Sequence, residues 1–189
     1  RRARLYLYGS FARTYRGHGT DLALLAGLLG LSTDDPRIPE AQQLAAARGM
    51  QVELVPVLKG GAGLHPNTAE LLLASEDGRQ VKVRGQSVGG GNVVITAVDD
   101  FELALTGQYP ALLTRHRDEP GVVARVTGIL AQEGINIAFL RLSRQERGSE
   151  ALMVIETDQG ISEEVRLRVA EVPGVVAVRT IPALKEVGG

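Results

Sequence analysis

Cysteine is absent from all 189 residues. That excludes disulfides, a catalytic thiol and any thiolate-held zinc or iron–sulfur site built from this chain alone. Tryptophan is absent too, and four Tyr and three Phe are the only aromatic residues. The core must therefore rest on Val, Leu, Ile and Ala. No run approaches about 18 consecutive apolar residues, so no membrane span is expected. No signal peptide opens the chain, and cytoplasm is the default compartment. An excess of either charge is also missing: Lys plus Arg number 21 and Asp plus Glu 22. Residues 1–110 carry 11 basic and 11 acidic side chains, and residues 111–189 carry 10 and 11. Without a basic stripe, nucleic-acid binding is not expected.

Apolar residues make up 44% of the chain, which is ordinary for a globular protein. The length suits one domain or two small ones. Residues 4–8 alternate as a strand that ends at Gly9. The chain thus opens on a strand already under way, and a preceding N-terminal piece is expected. After the Gly17-His18-Gly19 loop, Leu22, Leu25 and Leu29 recur at helical spacing, with Thr20 or Asp21 as the cap and Gly30 as the stop. A second helix is expected over 39–48, with Gly49 ending it. Residues 51–57 read as a strand and 59–67 as a loop. Residues 69–75 and 79–85 flank Asp77-Gly78, a hairpin signal, and two more strands follow at 92–98 and 101–107. The first part, residues 1–108, is thus an α/β domain ending in an antiparallel meander.

The rhythm changes near Gly107–Pro110, and residues 109–189 form a second domain. Strand 111–117 precedes a helix from about Pro120, with Val122, Val126, Ile129 and Leu130 on one face and Gly134 as its stop. Strands 135–145 and 150–158 join through a turn around Gly148. Ser162 caps a helix carrying Val165, Val169 and Val172, Pro173-Gly174 ends it, and 175–181 is the last strand. The order is βαββαβ, the ferredoxin-like unit. The fold class of the whole chain is α+β.

GQSVGGGNV, residues 85–93, fits G-x-S-x-G, the hydrolase nucleophile elbow. That motif needs a strand, a sharp turn and then a helix, whereas Asn92-Val93-Val94-Ile95-Thr96 is a β-branched strand run. The only histidine beyond Ser87 is His116, in the second domain. Phosphate-loop patterns are missing. A pyridoxal-phosphate enzyme would need a Schiff-base lysine; the lysines are Lys59, Lys82 and Lys185, and Lys82 sits mid-strand. The remaining readings are a tight connection between strands and an anion-holding glycine loop.

Three further places carry chemistry. His18 lies between two glycines before a helix N-terminus, where amides and the helix dipole favour an anion; an exposed loop histidine is the plainer reading. His65-Pro66-Asn67-Thr68 follows a glycine-rich loop, and Asn67 suits an Asx turn. His18, Asp21 and His65 match no standard metal-ligand spacing, so no metal site is expected. In His116-Arg117-Asp118-Glu119-Pro120-Gly121, Asp118 is placed to cap the helix at Pro120. Gly121 lets the backbone approach closely in the first turn. Such a turn receives a carboxylate, while His116, Asp118 and Asn136 can meet an amino or hydroxyl group.

DEPGVVARVTGILAQEGINIAFL, residues 118–140, resembles the ACT domain, a regulatory module of amino-acid-metabolism enzymes. In the serine-binding examples the pattern begins H-x-N-x-P-G-V, with Asn in the later I-N-I. His116 and Asn136 match; Asp118 replaces the asparagine. YGSFARTYRGHGTDLALLAGLLG, HPNTAELLL and GQSVGGGNV resemble the β chain of bacterial iron–sulfur L-serine dehydratase, and with the ACT part they cover nearly the whole chain. The resemblance implies a subunit of an L-serine ammonia-lyase, which deaminates L-serine to pyruvate and ammonia. It implies a 4Fe-4S cluster on the α partner and not on this chain, and an opening S-S-S-H-T segment that is absent here. It implies L-serine as substrate and effector, and association between ACT domains. On this resemblance His65, Asn67 and Ser87 are the catalytic residues. Gly17, His18, Gly19, Thr20, Gly89, Gly90 and Gly91 bind substrate, and His116, Asp118, Gly121 and Asn136 bind the effector. Two alternatives are a stand-alone amino-acid-binding module and a regulatory fragment of a 3-phosphoglycerate dehydrogenase.

Overall fold

A computed structural model describes residues 1–59 and 61–184. Gly60, in the expected 59–67 loop, and Lys185 with the four residues after it lie outside the described residues. The chain divides into two compact units, the first spanning Arg1–Asp99 and the second beginning at Asp100.

The first unit opens with strand β1 (Arg2–Tyr8), then helices α1 (Gly9–Thr14), α2 (Thr20–Leu28) and α3 (Ala41–Ala47). A 3-10 turn at Ile38–Glu40 leads into α3. Strands β2 (Gln51–Val57), β3 (Thr68–Ala74), β4 (Gln80–Gly89) and β5 (Asn92–Val98) follow. The strands lie in the order β2-β1-β3-β4-β5. The β1–β2 pair is parallel and the others are antiparallel. The helices between β1 and β2 supply the crossover that a parallel pair requires.

Alternation sorts the two faces of β1. Ala3, Leu5 and Leu7 are buried. Ala3 and Leu5 pack with Leu25, Ala26, Leu29, Ala41 and Ala45 of the helical layer. The alanines of α2 and α3 let the two helices approach the sheet closely. Arg4 points the other way and pairs with Glu53 of β2 at 2.7 Å, as Arg84 of β4 pairs with Glu70 of β3 at 2.8 Å. Helix α1 is absent from the sequence-based expectation because six residues are too few to show a period. The cap of α2 is Gly19, in the left-handed region at φ 67°, so Thr20 and Asp21 lie inside the first turn.

The second unit contains β6 (Phe101–Leu105), β7 (Ala111–Arg117), α4 (Val122–Gln132), β8 (Ile137–Arg144), β9 (Glu150–Thr157), α5 (Glu163–Ala170) and β10 (Val175–Ile181). Strand order β10-β7-β9-β8, antiparallel throughout, gives the expected ferredoxin-like βαββαβ sheet. Val122, Val126 and Leu130 of α4 and Val165 and Val169 of α5 pack on Leu112, Met153 and Ile155. Ser162 caps α5 as expected, its hydroxyl accepting the Val165 N–H at 3.2 Å. The division between units falls ahead of the expected 108/109 join because β6 packs on β8 and β9.

Candidate functional site

The end of β1 meets two loops of the first unit. Gly9 takes φ +55°, and a Cβ there would lie 2.6 Å from the Pro66 carbonyl oxygen and 2.7 Å from the Pro66 Cα. Only glycine lets the two backbones come this close. The Pro66 carbonyl then accepts the Ser10 N–H at 2.7 Å and the Phe11 N–H at 3.4 Å. The next carbonyl, of Asn67, accepts the Ser87 N–H at 3.0 Å. Two consecutive peptide groups thus tie the YGSF, HPN and GQS segments together.

His65 and Asn67 are half-buried beside this clamp. The Asn67 N–H donates to His65 Nδ1 at 3.2 Å, and the Thr68 hydroxyl donates to the His65 carbonyl at 2.7 Å. The turn is therefore closed by His65 and Thr68, in place of the expected Asx turn from Asn67. An occupied Nδ1 lone pair puts the proton of the neutral ring on Nε2, leaving that nitrogen a donor. Ser87 sits inside strand β4, and β5 follows it, so the strand–turn–helix context of a nucleophile elbow is missing.

Gly89, Gly90 and Gly91 form the exposed β4–β5 tip, with φ of 92°, 61° and 77°. Three successive positive φ values are a glycine-only path. Gly17, His18 and Gly19 lie in the turn between α1 and α2 and Thr20 opens α2, the turn being closed by His18 N–H to Thr14 O at 3.0 Å and Thr20 N–H to Tyr15 O at 2.9 Å. Among the described residues, no hydrogen bond or ion pair joins this turn to His65, Asn67 or Ser87.

Ser10 and Tyr8 are not among the site residues expected from the sequence. Tyr8 ends β1 on the open face, and a Cβ on Gly61 would lie 2.9 Å from its ring. Burial, and then the Glu70 carboxylate, raise the Tyr8 phenol above its ordinary range. The available signal was the strand-ending glycine, which marks close backbone approach.

In the second unit, His116 is 1% exposed. Its Nδ1 lies 2.6 Å from the Arg117 carbonyl and its Nε2 has no partner among the described residues. Gly121, at φ 88°, is the N-cap of α4, and no described side chain caps this helix. The expected Asp118 cap is therefore corrected. The Pro120–Gly121 turn delays the helix to Val122 and leaves Asp118 too far back. Asp118 instead anchors the β8–β9 turn, accepting from Gly148 N–H at 3.0 Å and Arg144 Nη1 at 2.9 Å. The Gly148 amide first, and then Arg144, hold its carboxyl below the ordinary range. Asn136 bonds Asp158 through its side chain at 2.6 Å.

His116 and Asn136 lie far apart in one chain. His116 is level with Ala151 of β9, and Ile137, next to Asn136, is level with Thr157. The six residue steps between them span about 20 Å of strand. His116, Asp118 and Gly121 thus occupy one end of the sheet and Asn136 the other. Among the described residues, no group of three or more His, Asp or Glu side chains is arranged to hold a metal ion. No described helix is long and apolar enough to cross a membrane.

Residues 111–176 match the ACT domain family. Over 174 residues the chain is 40% identical to the "Probable L-serine dehydratase, beta chain" of Bacillus subtilis (strain 168), covering 92% of this chain and 78% of that one. It is 30% identical over 160 residues to the L-serine dehydratase beta chain of Peptoniphilus asaccharolyticus, covering 85% of this chain and 72% of that one. A D-3-phosphoglycerate dehydrogenase of Methanocaldococcus jannaschii is 29% identical over 110 residues, 58% of this chain and 21% of that one. The clamp of loops in the first unit and the ACT domain of the second thus lie in a chain that belongs to the family of L-serine dehydratase β chains.

Proposed function

We propose that this chain is a cytoplasmic subunit of an L-serine ammonia-lyase, which converts L-serine to pyruvate and ammonia together with an α chain. The observation that carries the catalytic half is the clamp at Pro66 and Asn67, which gathers three separated segments at one end of the sheet. A 4Fe-4S cluster does not fit the residues of this chain, which has no cysteine. Its place is the α partner. This chain closes one wall of the site and supplies hydrogen bonds. His65 presents Nε2–H as a donor, suited to a substrate carboxylate or hydroxyl. Asn67 and the Ser87 hydroxyl add short-range partners, and the amides of Gly89–Gly91 face an anion. The Gly17–Thr20 turn is assigned to substrate on the family resemblance alone, since no bond among the described residues ties it to the clamp.

The second job is sensing an amino acid, L-serine above all. His116, Asp118 and Gly121 of one copy and Asn136 of another complete an effector site across a dimer. The free edge of β8, with Phe139, Leu140 and Leu142 exposed, supports pairing of two ACT sheets. Co-expression with an α chain tests the catalytic half. The complex should deaminate L-serine, and His65→Ala should lower turnover at least tenfold. Full turnover in that variant, or failure to find any partner chain, overturns the reading. Leu140→Glu should give a monomer by sedimentation and abolish L-serine binding to this chain; unchanged binding by that monomer refutes the shared site.

A further inference from the structure

The sheet of the second unit has a face opposite its helices to which neither proposed site assigns a ligand, although Phe139 at its rim stacks on Arg141 at 5.6 Å. Met153 and Ile155 of β9 lie in the helix-side core, so Leu152 and Val154 point to the opposite side. There, between β6 and strands β8 and β9, lies a cavity of about 400 Å³. That volume is in the range of small-molecule sites. Its wall is apolar at Leu103, Leu142, Leu152 and Val154 and polar at Glu102, Arg141 and Ser143.

The polar groups have bonding capacity left over. Arg141 Nη1 donates to the Glu156 carboxylate at 3.1 Å and to the Ala104 carbonyl at 2.9 Å. Arg141 Nε and Nη2, the Glu102 carboxylate and the Ser143 hydroxyl bond to no described residue. Glu156 is 3% exposed, and its second oxygen has no partner among the described residues. A buried carboxylate in that condition adds little to stability compared with an apolar residue. What it does is hold the Arg141 fork in one place at the cavity.

We propose that this cavity is a small-ligand site and that it takes an α-amino acid with an aliphatic side chain. The free edge of the Arg141 guanidinium and the Ser143 hydroxyl receive the carboxylate. Glu102 receives the ammonium. Leu103, Leu152 and Val154 receive the side chain. Glu156 already compensates Arg141, so a plain carboxylic acid leaves Glu102 unpaired and a plain amine leaves the Arg141 fork unpaired. Only a zwitterion satisfies both.

The test is a titration of the full chain with L-leucine, followed by methyl NMR of its Leu and Val residues. Saturable shifts are expected at Leu103, Leu152 and Val154. Glu102→Gln, an exposed and structurally mild change, should weaken binding at least tenfold. Arg141→Lys should also weaken it, while keeping a charge beside Glu156. Asp118→Asn, at the other end of the unit, should leave binding unchanged, which separates this site from the proposed effector site. Absence of saturable shifts overturns the proposal. So does equal binding by Glu102→Gln, equal binding of isopentylamine, or loss of binding in Asp118→Asn.

Discussion

Replacing Gly9 by Ala probes the clamp directly. The new Cβ would lie 2.6 Å from the Pro66 oxygen, where ordinary contact begins at 3.4 Å. Restoring that contact needs about 0.8 Å of backbone movement. The left-handed conformation at φ +55° costs an Ala about 1–2 kcal/mol. The forced shift adds about 1–3 kcal/mol, including the weakened Ser10–Pro66 hydrogen bond. Gly49→Ala is the control, because Gly49 has φ +67° but nothing within 4 Å of its Cβ position. It should show the conformational cost alone. Urea unfolding by circular dichroism should rank Gly9→Ala below Gly49→Ala by about 1–3 kcal/mol. Hydrogen exchange at the Ser10 amide should quicken only in Gly9→Ala. With an α partner, turnover should drop about 100-fold, since misplacing a site by about 1 Å has that effect. Equal destabilisation by the two variants, with Ser10 still protected and turnover intact, would refute the clamp.

Two further predictions concern the second unit. Ser162→Ala removes the cap bond to Val165 and should destabilise that unit by about 1 kcal/mol in thermal unfolding. The Asp118 carboxyl should titrate below the ordinary aspartate range by NMR, and Arg144→Ala should raise it only part of the way, because the Gly148 amide is the larger cause. A depressed folded value means that the anchoring is present above the unfolded value and lost as pH falls through the folded one. Exchange protection of the Gly148 amide should therefore fall in acid.

The aliphatic rhythm of residues 111–181 was legible because each element carries its own period and stop: Val122, Val126 and Leu130 for α4, Ser162 for α5, Gly134 and Pro173-Gly174 as ends. The family was legible in three motifs of the first part and in the stretch over residues 118–140. Of the local readings that failed, which include the Thr20 or Asp21 cap of α2, two share a reason. Whether Asp118 caps α4 depends on where Pro120-Gly121 starts the helix, and whether Asn67 closes its turn depends on which neighbour reaches first. In both, another partner takes the place of the expected one: Arg144 and Gly148 at Asp118, and His65 and Thr68 at the Asn67 turn.

Composition, periodicity and punctuation are properties of neighbours along the chain, and they alone determined the two-part α+β plan and the cysteine-free character of this subunit. Contacts between residues distant in sequence were left to tertiary structure. It brought Gly9, Pro66, Asn67 and Ser87 together, set His116 and Asn136 at opposite ends of a sheet, and built the Arg141 cavity from three strands. Such juxtapositions depend on strand order and register, and no local signal in a single sequence encodes these.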